Sequence, residues 1–178
     1  MKNDMVIREN TKPMLKEEKY QALLPQVEAL CEGEDDMIAK MANISALLHR
    51  EFGFWWTGFY RVEATSRPRS KGEEGLSQNT THRELVLGPF QGPLACVHIG
   101  YGKGVCGTAW KERRTVVVAD VERFPGHIAC SSDSRSEIVV PMFRGDEVVA
   151  VLDIDSRHLA TFDDTDRRCL EQLVAAMA

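Results

Sequence analysis

The chain has 178 residues, and 22 Lys and Arg against 27 Asp and Glu give a formal net charge of -5. Hydrophobic residues make up 43% and charged residues 28%, the balance of a globular chain with one core, and the length suits one domain. The apolar runs fall far short of the roughly 20 residues of a membrane span, no signal peptide is evident, and a mildly acidic chain without a basic block excludes nucleic acid as the main partner. The five cysteines are Cys31, Cys96, Cys106, Cys130 and Cys169. An odd number in what reads as a reducing, cytoplasmic compartment argues against a structural disulfide framework.

Residues 1–13 are polar and predict a flexible N-terminus, with a single domain over 14–178. Leu15, Leu23, Leu24, Val27, Leu30 and Cys31 predict a first helix, which Pro25 should kink or break. Asp35 or Asp36 suits the N-cap of a second helix, whose stripe is Met37, Ile38, Met41, Ile44, Leu47, Leu48 and Phe52. Phe54–Val62 is aromatic and β-branched, a strand. Residues 64–82 are rich in Gly, Ser, Pro and both charge signs, and predict a mobile polar loop.

Two short strands, 84–90 and 93–99, follow, and then GKGVCGTAW, a glycine-rich turn into a short helix. Residues 115–120 form another strand, and 121–135 a long loop. The segments 137–143 and 147–155 flank Arg144-Gly145-Asp146, a hairpin signal. Asp163 or Asp164 caps a last helix with Leu170, Leu173, Val174 and Met177 on its stripe. Hairpin-linked strands with helices at the chain ends predict an α+β fold with an antiparallel β-sheet flanked by N- and C-terminal helices.

Three groups of residues carry the chemistry. Cys130 lies in a polar loop with His127, Ser131, Ser132 and Arg135, where free amides and a cation favour the thiolate. Cys96 falls in a predicted strand, Cys106 in the glycine-flanked turn, and no Cys-x-x-Cys occurs, so a zinc site is the weakest reading. Asp153 and Asp155 are two apart on a strand and face one side, opposite to Leu152 and Ile154. They suit an ammonium group or a carboxyl with a raised pKa. Glu137 joins them only through a register offset. A plain two-residue turn sets it opposite Ile154, and a three-residue turn with a bulge, or a bulge at Pro141, would set it opposite Asp153. Alternation places Trp56 and Tyr60 on one face with Phe54 and Gly58, a candidate apolar pocket wall, and Trp55, Thr57 and Phe59 on the other. Cys31 and Cys169 go with helical stripes and read as structural.

In this order, WWTGFY, ELVLGPFQGPLACVHI, GKGVCGTAW, VVADVERFPGHIACSSDSRSEIVVP and VAVLDIDS resemble the free methionine-(R)-sulfoxide reductases, a family of stand-alone GAF domains. The resemblance covers about residues 14–177 except the 64–82 loop. It implies reduction of free methionine-(R)-sulfoxide, with Cys130 as nucleophile, Cys96 as the main resolving cysteine and Cys106 as an auxiliary one. Trp56 and Tyr60 would take the methyl-sulfoxide end. Asp155 or Glu137 would supply the proton, Asp153 would bind substrate with the other acids, and amides near Ser131 and Ser132 would hold its carboxylate.

The implied redox-active disulfide is recycled by a thioredoxin-family reductant. No metal or organic cofactor is required. A homodimer is left open, because such domains often pair through their terminal helices. The alternatives are a ligand-sensing or redox-sensing GAF module without turnover. No effector segment is expected after Ala178.

Overall fold

The computed structural model describes residues 14–66, 82–128 and 132–177. Six antiparallel strands form one sheet in the order β3-β2-β1-β6-β5-β4. They are β1 (Trp56–Thr65), β2 (His82–Gln91), β3 (His98–Ile99), β4 (Val116–Val118), β5 (Ser136–Arg144) and β6 (Glu147–Ser156). Four α-helices join them: α1 (Lys16–Cys31), α2 (Met37–Phe52), α3 (Gly104–Glu112) and α4 (Asp164–Ala175). The expected α+β class and antiparallel sheet with terminal helices are both present. Among the described residues no helix is long and apolar enough to cross a membrane.

The alternation of the central strands divides the core in two. Phe59, Ile138, Val140, Met142, Ala150, Leu152 and Ile154 face α1, α2 and α4, where Tyr20, Leu23, Ile44, Leu48, Leu170 and Leu173 meet them. Trp56, Tyr60, Val139 and Val151 face α3, where Val105, Cys106, Ala109 and Trp110 close a second core. Asp36 caps α2 by accepting from the Ile38 amide at 2.8 Å, and Gly53 ends it at φ 66°. Asp163 caps α4 and accepts from the Thr165 amide at 2.7 Å. The buried Asp166 accepts from Tyr20 Oη at 2.8 Å and from Lys16 Nζ at 2.6 Å, which ties α1 to α4.

Several expectations are corrected. Pro25 does not break α1, which runs through it, because Tyr20, Leu23 and Val27 on both sides are anchored in the core. Ala64 and Thr65 belong to β1 and His82 to β2, so the polar loop is shorter than 64–82. Residues 1–13 and 67–81, the rest of the segments expected to be flexible, lie outside the described residues. Residues 93–97 are not strand, and only His98 and Ile99 pair with β2. Phe54 stacks on Phe52 of α2 and joins the core under the helices rather than the wall beside Trp56, because β1 begins only at Trp56. Cys106 sits inside α3, past the turn that was expected to hold it.

The β5–β6 hairpin decides where the acids lie. Arg144 pairs with Glu147 across a two-residue turn, with Gly145 at φ 59° as a tight hairpin turn requires. Phe143 then pairs with Val148 and Met142 with Ala150, so Val149 is an extra residue in β6. This bulge moves every later pair by one position, and Glu137 pairs with Asp155. The offset that Glu137 needed is present, but it runs toward Asp155 rather than the expected Asp153.

Candidate active site

One face of the sheet, the start of α3 and the segment after β2 form a pocket. Trp56, Tyr60, Cys106, Glu137, Asp153 and Asp155 line it together. The β-strand period places Trp56, Gly58 and Tyr60 on the face shared by Asp155, Asp153 and Val151, their partners in β6. The Trp56 and Tyr60 rings stack with centroids 5.9 Å apart, and Phe90 stacks on Trp56 at 5.4 Å. This wall fits only because residue 58 is glycine. A Cβ there would meet Phe90 and lie 2.5 Å from Trp56 Cη2. Gly58→Ala is expected to cost roughly 1–3 kcal/mol by overpacking and to shift the Trp56 ring, read by denaturant unfolding and by tryptophan fluorescence. Wild-type stability with unchanged fluorescence would contradict this packing.

Three carboxyl groups converge opposite the aromatic wall. Glu137 and Asp153 are each only 6% exposed. Burial first, then the negative charges of Asp153 and Asp155, push the Glu137 carboxyl well above the usual carboxylate range. A hydrogen bond joins the Glu137 and Asp153 carboxyl groups. Burial and then Asp155 also raise Asp153. The Cys106 thiol donates to Asp153 and is itself held well above the ordinary thiol value, chiefly by burial. Burial raises Asp155 to about 6, against a hydrogen bond from Ser134 that favours its ionised form. Among the described residues, Asp153 Oδ1 is buried without a hydrogen-bond partner. Such an acceptor is costly unless something fills its place, so the site is built to take a donor or a cation.

Cys106, Glu137 and Asp153 each offer one ligand atom within 4.8 Å of the others, so among the described residues this trio is the one able to hold a metal ion. The sequence reading did not assign several of the lining residues to the site. His127 stands 3.8 Å from Glu137 and is lowered in pKa by burial. Ser134 bonds Asp155, and Lys103 and Ile128 line the mouth. Their only signal was position, in or beside loops flanking the cysteines.

Cys96 is disulfide-bonded and half-buried, whereas Cys31, Cys106 and Cys169 are free. Ser132 is an exposed turn residue and does not line the pocket. Cys130 and Ser131 lie outside the described residues.

The chain is similar to several known proteins. The GAF domain family matches residues 50–178. The free methionine-R-sulfoxide reductase of Escherichia coli is 41% identical over 92% of this chain and 89% of its own length. GAF domain-containing protein A of Dictyostelium discoideum is 48% identical over 89% of this chain and 90% of its own. The chain belongs to the free methionine-R-sulfoxide reductase family of GAF domains. The solved structure of the Neisseria meningitidis reductase, obtained in complex with its substrate, superposes with a TM-score of 0.80. It is 46% identical and covers 93% of this chain and 90% of that chain. The GAF fold is the antiparallel sheet with its helices described above.

Proposed function

We propose that this chain reduces free L-methionine (R)-S-oxide to L-methionine. The observation that carries the reading is the buried acid group, Glu137, Asp153 and Asp155, facing the Trp56–Tyr60 wall in one pocket. The family membership adds the reaction class.

The methyl-sulfoxide end packs on Trp56 and Tyr60. The unpartnered Asp153 Oδ1 receives the substrate ammonium, the cationic donor it lacks. The carboxylate lies toward the amides near Ser131 and Ser132, with Lys103 lining the same pocket as a cation. A protein-bound methionine lacks both charges and forfeits both contacts.

The Cys130 thiolate attacks the sulfoxide sulfur, while Asp155 or Glu137, whose acid form burial favours, gives a proton to the oxygen. The sulfoxide gains two electrons and leaves as methionine. Cys130 takes the oxygen and becomes a sulfenic acid. The Cys96 thiol, with Cys106 as auxiliary, then condenses with it, releasing water and forming a disulfide. A thioredoxin-family dithiol reduces that disulfide by exchange. The disulfide already on Cys96 supports its redox role. The reading places the enzyme in a reducing cytoplasm, where such a dithiol is available. Homodimer pairing through terminal helices belongs to the same reading.

A single-turnover experiment tests the order of events. Reduced protein without added reductant releases about one methionine per chain, and so does Cys96→Ser, because resolution follows reduction. With excess thioredoxin-type dithiol the wild type cycles and the variant recycles poorly. Absence of methionine release from the reduced wild type would contradict the function. Equal recycling by the variant would contradict the role of Cys96.

A further inference from the structure

The segment that carries Cys96, residues 92–97, has no regular structure, yet it is fixed to the pocket by side chains of the pocket itself. Trp56 Nε1 donates to the Pro93 carbonyl at 3.1 Å. The Tyr60 hydroxyl donates to the Cys96 carbonyl at 3.0 Å. One backbone bond, from the Leu87 amide to the Val97 carbonyl at 2.9 Å, closes the far end. Gly92 allows the close approach. Its φ is 124°, and a Cβ there would lie 2.8 Å from the Trp55 carbonyl oxygen and 2.9 Å from Trp56 Cδ1. Between the tethers, Leu94 stands 88% exposed and lines the pocket mouth with Ala95.

Each aromatic residue thus has two ends with two partners. The rings stack on one another inside the pocket, and the polar tips point to the backbone on either side of Leu94 and Ala95. A segment held by a single backbone bond at one end samples many positions unless further contacts fix it. A displacement of about 1 Å in a reacting group can cost on the order of 100-fold in rate.

We infer that the Tyr60 hydroxyl and the Trp56 indole N–H are positioning groups for Cys96, holding the resolving thiol where it can meet the oxidised Cys130. The inference rests on the proposed function, in which Cys96 resolves a Cys130 sulfenic acid. In the step concerned, the Cys96 thiolate attacks the Cys130 sulfur. The S–S bond forms, the S–O bond breaks, and the departing hydroxide takes up a proton as water. Neither tether touches the reacting atoms; both act through the backbone of residues 93–96.

The test separates this step from substrate binding. Reduced wild type, Tyr60→Phe and Trp56→Phe are each treated with one equivalent of hydrogen peroxide in the presence of dimedone. Peroxide transfers an oxygen atom to the Cys130 thiolate without passing through the aromatic wall, and dimedone traps the sulfenic acid that has not yet closed. Peptide mapping then gives the ratio of Cys130–dimedone adduct to Cys96-containing disulfide. The expected result is a ratio roughly fivefold or more above wild type in each variant, the scale of one lost hydrogen bond. A bond that merely stabilises the fold would lower the melting temperature without moving this ratio. Trp56→Phe removes a different tether and keeps the test decisive if Tyr60→Phe does not fold. Wild-type ratios in the variants overturn the inference and leave the reductase reading intact. A wild-type protein that closes a disulfide without Cys96 overturns the resolving role of Cys96, and the inference with it.

Discussion

Cys130→Ser is expected to abolish conversion of free methionine (R)-S-oxide, lowering turnover on the order of 10⁴-fold or more, as loss of a nucleophile does. A hydroxyl at this position is not ionised near neutral pH and does not accept the sulfoxide oxygen in a stable two-electron exchange. The acids and the aromatic wall remain in the variant, so it should still bind substrate, read by calorimetry with the (R)-sulfoxide. Binding without turnover separates the chemical role of Cys130 from the pocket. Turnover within a few-fold of wild type would transfer the attack to another thiol, and Cys106 would be the first candidate. Its burial and raised pKa make it a poor nucleophile in its present state.

Asp155→Asn is the second large effect, with opposite consequences for activity and stability. An amide cannot supply the proton, so the reduction step is expected to slow by about 10²–10⁴-fold. In the wild type, burial holds the Asp155 carboxyl at about 6 against its ordinary 3.8. The acid form needed for donation is therefore present below about pH 6 and fades above it, and the reduction step should show a limb that falls as pH rises through this value. Asp155→Asn should lack that limb. A limb that persists assigns the proton to Glu137 instead.

The stability effect follows from the same burial. The folded protein binds this proton more tightly than the unfolded chain. The stabilisation from Asp155 is complete below about pH 4 and is lost as pH rises through about 6. The loss is on the order of 3 kcal/mol at neutral pH. Asp155→Asn should thus be more stable than wild type at pH 8 and lose that advantage near pH 4, read by denaturant unfolding at both values. Glu137 and Asp153 are raised in the same direction, so the whole acid group is a site where stability is given up for function.

Much of this was legible in the chain. Capping by Asp36 and Asp163 and the 3.6-residue stripes set α2 and α4 because those signals are local. The two-residue period placed Trp56 with Tyr60 and Asp153 with Asp155, and the sheet brought both pairs to one face. Other features depended on interactions that no local pattern carries. The bulge falls at Val149, beside the Met142–Phe143 step next to Pro141 where a bulge was expected, but no local pattern told that its direction would align Glu137 with Asp155 rather than Asp153. The segment before β3 looked like a strand by composition, but side-chain bonds from Trp56 and Tyr60 replace its ladder. His127, Lys103 and Ser134 reach the pocket only through long-range folding. Pro25 shows the converse, a strong local signal overruled by packing on both of its sides.

The central claim is that two charged ends and one sulfoxide epimer are read in this pocket. The most direct measurement is reduction by dithiothreitol of four substrates: the R and S epimers of methionine sulfoxide, each free and peptide-bound. The account predicts methionine formation from the free R epimer alone. Comparable turnover of the peptide-bound R epimer, or none with any of the four, would contradict it.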